Sequence, residues 1–175
     1  MSHKTIASID MTLDAKSIDN AIREIRHIKE QLVEAMNDLI RKLADEGVKE
    51  AKAQVAAMDA VDTGELERSI YGYYDPDSRI GYVIAGAAHA FYVEYGTGIV
   101  GAGEPHPDPK SAAWAYDVND HGEGGWWYPS EKGWYLADDG TRLAWTKGMP
   151  ARPFMYNTMV WLEEAARALG RTILS

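Results

Sequence analysis

Apolar residues recur at three- and four-residue steps from Ile18 to Met58, and this stripe restricts the fold of the 175-residue chain more than any other feature. Ile18, Ile22, Ile25, Ile28, Leu32, Met36, Leu39 and Leu43 form its first part; Val48, Ala51, Val55 and Met58 resume it. Arg23, Glu24, Lys29, Glu30, Asp38 and Arg41 fill the opposite side, which is the pattern of an amphipathic helix. Unbroken, such a helix would run about 60 Å. Gly47 disfavours helix by roughly 1 kcal/mol relative to alanine, so a bend or break is expected there. The stripe needs an apolar partner. A sheet of the same subunit supplies one; a neighbouring subunit supplies another, because a helix this long can outrun its own core.

Shorter elements flank it. Ile9, Met11 and Leu13 alternate with Asp10 and Thr12 as a half-buried strand, and Ser17 can cap the helix with Asp19 near its positive end. Asp62-Thr63-Gly64 stops the helix and sets the entry to a tyrosine-rich strand from Ser69 to Tyr74. Asp75-Pro76-Asp77-Ser78 is a turn, and Ile80, Tyr82 and Ile84 alternate on a return strand, completing an antiparallel hairpin. Ala90 to Tyr95 is a short helix or strand, ended by Gly96-Thr97-Gly98. From Ile99 to Met149 periodicity disappears and glycine, proline and tryptophan dominate. That stretch is too aromatic for a disordered linker, so an ordered insertion is expected, with a small hairpin around Asp138-Asp139-Gly140 in which Tyr135, Leu136, Leu143 and Trp145 pair. Pro153 suits the first turn of a last helix, whose face carries Phe154, Thr158, Trp161, Leu162, Ala165, Leu169 and Ile173. A chain of this size can bury roughly 70% of its unfolded surface without a staple, and residues 1–175 are expected to form one domain with insertion 99–149.

Several chemistries are disfavoured. The chain has no cysteine, which removes disulfides, thiolate metal sites and cysteine nucleophiles. A formal net charge of −9 argues against broad contact with nucleic acid. Met1-Ser2-His3-Lys4 is not followed by an apolar signal core, and no stretch approaches the ~20 apolar residues of a membrane span; an intracellular protein with no membrane partner is expected. His89, His106, Asp108, His121 and Glu123 are the only conceivable metal cluster, but they lie in loops without helical His-x-x-x-His spacing, so no metal and no cofactor is expected. Ser69 lacks a nucleophile elbow, no Walker-type sequence is present, and Asp138-Asp139 reads as a turn. The tryptophans admit three readings: contacts with subunits or partners, an internal mini-core, or a platform for sugar rings.

Three phrases follow in order: Asp62-Thr63-Gly64-Glu65-Leu66-Glu67-Arg68-Ser69-Ile70, Ala90-Phe91-Tyr92-Val93-Glu94-Tyr95-Gly96-Thr97-Gly98, and Pro150-Ala151-Arg152-Pro153-Phe154-Met155. With the elements between them they resemble the neck and tail-completion proteins of long-tailed bacteriophages, over nearly the whole chain. The insertion, with Gly98-Ile99-Val100-Gly101 and Gly125-Trp126-Trp127-Tyr128, resembles longer versions from prophages of Gram-positive bacteria. The resemblance implies an α+β fold, with a twisted antiparallel sheet packed against a long N-terminal helix and a C-terminal helix. It implies no catalytic centre. It further implies assembly at the head–tail junction of the virion, after synthesis in the host cytoplasm, as a sixfold or twelvefold ring. The partners would be head-completion or connector proteins, the tail terminator or tail tube, and DNA passing through the lumen. A tail terminator capping the tube is the nearest alternative, and a glycan-binding module the more distant one. Trp114, Trp126, Trp127, Tyr128 and Trp134, with Glu94 and Arg152, are the candidate subunit or partner contacts. Glu94 points outward if Val93 and Tyr95 face inward, or pairs with Arg152 if the second and third phrases meet in space.

Overall fold

The computed structural model describes residues 12, 14–60, 63–117 and 119–173. The strand expected at Ile9, Met11 and Leu13, like Asp62 of the first phrase, lies outside them. The fold is α+β. The long helix α1 spans Ala15–Ala57 and is followed by the single turn α2, Glu65–Arg68. Strands β1 (Ile70–Asp75) and β2 (Ile80–Ala85) pair antiparallel, Tyr73 opposite Tyr82. Two short helices follow, α3 (Ala90–Tyr95) before the stretch 99–149 and α4 (Gly98–Gly103) at its start. There β3 (Trp126–Pro129), β4 (Tyr135–Leu136) and β5 (Arg142–Thr146) make a second sheet in the order β3-β5-β4. Helix α5, Phe154–Ile173, closes the described chain. The antiparallel structure is thus two small sheets rather than one. The insertion hairpin falls where the sequence put it, with Tyr135 opposite Leu143, while Trp145 pairs outward with Trp127.

Helix α1 is not broken at Gly47. The glycine is buried, and a Cβ there would lie 2.7 Å from Val83 Cγ2 and 3.0 Å from Leu162 Cδ1. Its lack of a side chain lets β2 and α5 close on the helix, so packing outweighs its poor helix propensity. Gly72 and Gly81 face the helix from the hairpin: a Cβ on Gly72 would meet Val48 Cγ2 at 3.3 Å, and one on Gly81 would meet Ile40 Cγ2 at 2.9 Å. Small residues on both surfaces therefore set a close helix-to-sheet approach.

The N-cap of α1 is Asp14, not Ser17. Its carboxylate accepts the Ser17 backbone N–H at 3.0 Å, so Ser17 sits inside the first turn as a donor. The hydroxyl of Thr12, and then the Ser17 N–H, hold the Asp14 carboxyl below the usual range. The helix ends at Ala57, before the glycine turn, and Gly64 at φ +73° starts α2 instead.

All three sequence phrases supply one core. Leu66 and Ile70 come from the first, Ala90 and Val93 from the second, and Phe154 from the third; they close over Ala51 and Val55 of α1. Phe154 and Val55 are fully buried. The phrases are the points where separate elements lock onto the long helix.

Candidate interaction surfaces and the junction that holds them

The second and third phrases meet. The Arg152 backbone N–H donates to the Val93 carbonyl at 2.8 Å, and the Met149 N–H to Thr97 Oγ1 at 3.3 Å. Gly96, at φ +78°, lies so close to this returning chain that a Cβ would approach Ala151 N at 2.7 Å. Glu94 is at the centre of the junction and is 7% exposed. Its Oε2 accepts the Met155 N–H and its Oε1 the Tyr156 N–H, both at 2.9 Å. These are donors of the first turn of α5, which lack carbonyl partners within their own helix. Oε1 also meets His106 Nε2 at 3.0 Å, from the insertion. The Asp108 N–H donates to His106 Nδ1 at 3.1 Å, so a neutral ring carries its proton on Nε2, directed at Glu94.

Glu94 thus neither points outward nor pairs with Arg152. The strand alternation behind the first expectation does not apply, because residues 90–95 are helical. Proximity of the phrases does not give the ion pair either. The carboxylate is taken up by the α5 turn and His106, while the Arg152 guanidinium lies 3.9 Å from Met149 Sδ. The sequence carried a signal for this: Ala151-Arg152-Pro153 offers no side-chain oxygen to cap α5, so the acceptor had to come from elsewhere in the chain.

The tryptophans divide between interior and surface. Trp114 is half-buried; its Nε1–H donates to the Gly96 carbonyl at 3.0 Å and its ring stacks on Tyr95, centroids 5.0 Å apart. Tyr95 in turn contacts His106 at 4.6 Å. This mini-core ties the insertion to α3. Trp126, half-buried, stacks on His121 at 4.4 Å. Asp117 receives the His121 backbone N–H and then that of Gly122, which hold its carboxyl below the usual range.

The second sheet presents a different surface. On one face Trp127 packs against Trp145 and Tyr135, each at 5.2 Å, with Trp134 edge-on at 5.0 Å. All four are exposed, Trp134 at 74%. On the other face Trp126 and the exposed Tyr128 line a recess of about 490 Å³ with Tyr92, Tyr116, Asp117 and His121. A further groove lies between β2 and α5, in two recesses of about 420 and 450 Å³ that share Val83, Met155 and Met159.

Among the described residues no three or more of His, Cys, Asp and Glu gather as a metal site. His106 is committed to Glu94, and His121 lies beside Asp117. No helix among them is long and apolar enough to cross a membrane.

Residues 19–96 match the family model described as "Bacteriophage HK97-gp10, putative tail-component". The match runs from the first turns of α1 through the hairpin to the end of α3, and it supports the tailed-phage neck and tail-completion family over this stretch. The match supports a structural, tail-related role of the kind that description names. No curated protein and no solved structure matches the chain.

Proposed function

We propose that this protein joins head to tail in a tailed phage or prophage, as a ring-forming neck or tail-completion component. The family match over residues 19–96 carries the reading, because it covers the long helix, the hairpin and α3, the elements on which the core closes. The protein acts by geometry. The Glu94 junction fixes the insertion to the core, and the exposed residues Trp127, Tyr128 and Trp134 then meet neighbouring subunits or virion proteins. Exposed aromatic side chains are frequent anchors in such contacts. The net charge of −9 suits a ring around DNA, since an acidic lumen keeps a polyanion from adhering.

A tail terminator shares this setting and differs in what it controls, the length of the tail. A glycan-binding module is the second reading, favoured by the recess in which Trp126, Tyr92, Tyr116 and Tyr128 stand beside Asp117 and His121. Antibody against the protein, imaged on intact particles, tests the proposal. Label confined to the head–tail junction is expected. Label at the distal tip, or none on particles while the protein binds cell wall, would overturn it.

A further inference from the structure

Two bare apolar surfaces stand out, on neighbouring elements. The first is on α1. Ile18, Ile22, Ile25, Leu32 and Met36 are 39% to 55% exposed, and at about 100° per residue they fall within an arc of about 80°. By the same measure the buried residues Ala44, Gly47, Ala51 and Val55, packed on the hairpin and α5, centre about 70° further round the helix and overlap one edge of that arc. Between residues 15 and 37 only Ala21 is buried. The first half of the helix is therefore an arm whose apolar stripe has run beyond its own core.

The second surface is the outer face of the hairpin. Ile70, Gly72, Tyr74, Gly81, Val83 and Ala85 alternate toward α1. Tyr71, Tyr73, Ile80, Tyr82 and Ile84 point the other way. Tyr73 and Tyr82 stack at 6.0 Å, and Tyr71, Tyr73, Ile80 and Tyr82 are 40% to 52% exposed. A sheet of two strands with one face covered is a poor end point, since isolated hairpins are marginal and a sheet's apolar face seeks a second layer.

We propose that the α1 arm of one copy lies across the outer hairpin face of the next copy, so that each hairpin is sandwiched between its own α1 and its neighbour's. This deepens the ring reading given above and rests on it. The dimensions agree: residues 18–36 span about 27 Å of helix, and a six-residue strand about 20 Å. The area is adequate as well. Half-exposed tyrosines offer about 100 Å² each. With Ile80 and the five arm side chains counted at a similar area, one arm-on-hairpin contact covers on the order of 900 Å² of apolar surface, close to the ~1,000 Å² that a specific interface needs. Charge permits it. Residues 15–37 hold four basic and four acidic side chains, net zero, in a chain of net −9, so the arm is a segment whose approach to a second acidic copy is not opposed. The contact is heterologous, arm to face. Repetition closes into a ring or continues as a filament, whereas arm-to-arm pairing would stop at a dimer.

The chain's lack of cysteine makes the test clean. Full-length variants carrying Ile25→Cys, Tyr73→Cys, or both, are treated with a short bis-maleimide at high protein concentration. The double variant should give a ladder of cross-linked oligomers. Each single variant should stay uncross-linked, while an equal mixture of the two singles gives dimer only. A dimer from Ile25→Cys alone would mean arm-to-arm pairing and would overturn the proposal, as would no product from the double variant. Independently, Ile25→Lys and Tyr73→Lys should each weaken self-association by about tenfold or more, with the circular dichroism of the folded chain kept. Mixing the two should restore a heterodimer, because each supplies the surface the other lacks. If labelling places the protein at the junction but no arm-to-hairpin product forms, the ring geometry fails and the junction role stands. A ladder from a protein found elsewhere on the particle would separate the two in the opposite sense.

Discussion

Replacing Glu94 by alanine should be among the most damaging single changes outside the apolar core. The substitution removes the acceptor of two backbone N–H groups in the first turn of α5 and of His106 Nε2. Loss of a helix cap costs about 1 kcal/mol. Each donor left buried and unpaired costs about 1–3 kcal/mol. Water entering the vacated space would satisfy part of this, so a total of about 3–5 kcal/mol is expected, in the range for breaking a buried hydrogen-bonded pair. Glu94→Gln keeps one acceptor oxygen and should cost about 1–2 kcal/mol. At about 2–4 °C per kcal/mol for a chain of this size, alanine lowers the midpoint by about 10 °C and glutamine by about 4 °C. Urea and thermal denaturation followed by circular dichroism measure both. Limited proteolysis adds a local readout: His106→Ala should expose the insertion to cleavage while the cap on α5 persists. A Glu94→Ala protein within about 0.5 kcal/mol of the parent would refute the junction as described.

The remaining expectations can be checked on the isolated protein. Gly47→Val forces methyl groups against Val83 and Leu162 and should destabilise by about 2 kcal/mol, although valine is a better helix former than glycine; an unchanged denaturation midpoint would contradict the close approach. Trp114→Ala should cost about 3 kcal/mol, since Trp114 is bonded to Gly96 and stacked on Tyr95, whereas the exposed Trp134→Ala should stay within about 0.5 kcal/mol. For acid sensitivity, Ser78 Oγ–H and then the Asp77 N–H hold the Asp75 carboxyl below the usual range. Thr141 does the same for Asp139 through its backbone N–H and then its side chain. These folded-state pKa values are depressed, so their contribution is present above the unfolded value of about 3.9 and is lost as pH falls through the folded values. Denaturation midpoints should fall below about pH 4, and Asp75→Asn should reduce that fall; a midpoint flat from pH 5 to 2 would contradict it.

Much of the scaffold was legible because it depends on local periodicity. The stripe from Ile18 to Met58, the alternation in the hairpin and the punctuation at Asp75-Pro76-Asp77-Ser78 each specify their element within a few residues. Gly47 was misleading for a physical reason: propensity acts within one helix, while the approach of Val83 and Leu162 is a tertiary fact. Asp14 was missed as the cap because Ser17, also a capping residue, stands nearer the first isoleucine of the stripe. The role of Glu94 was legible only in that Ala151-Arg152-Pro153 leaves α5 without a cap of its own, not in which residue supplies the acceptor. It depends on α5 beginning without its own cap and on an insertion that returns His106 to the same carboxylate, contacts between residues 12 to 62 positions apart. The division of the tryptophans was equally hidden, since composition does not distinguish Trp114 inside the fold from Trp134 on its surface.

Electron microscopy of lysates from a phage deleted for this gene tests the head–tail role most directly. Filled heads beside separate tails of normal length are expected, with joining restored by the gene supplied in trans. Tails of abnormal length would assign the protein to tail termination instead. Intact, infectious and normally joined particles would contradict both roles and turn attention to the aromatic recess as a ligand site.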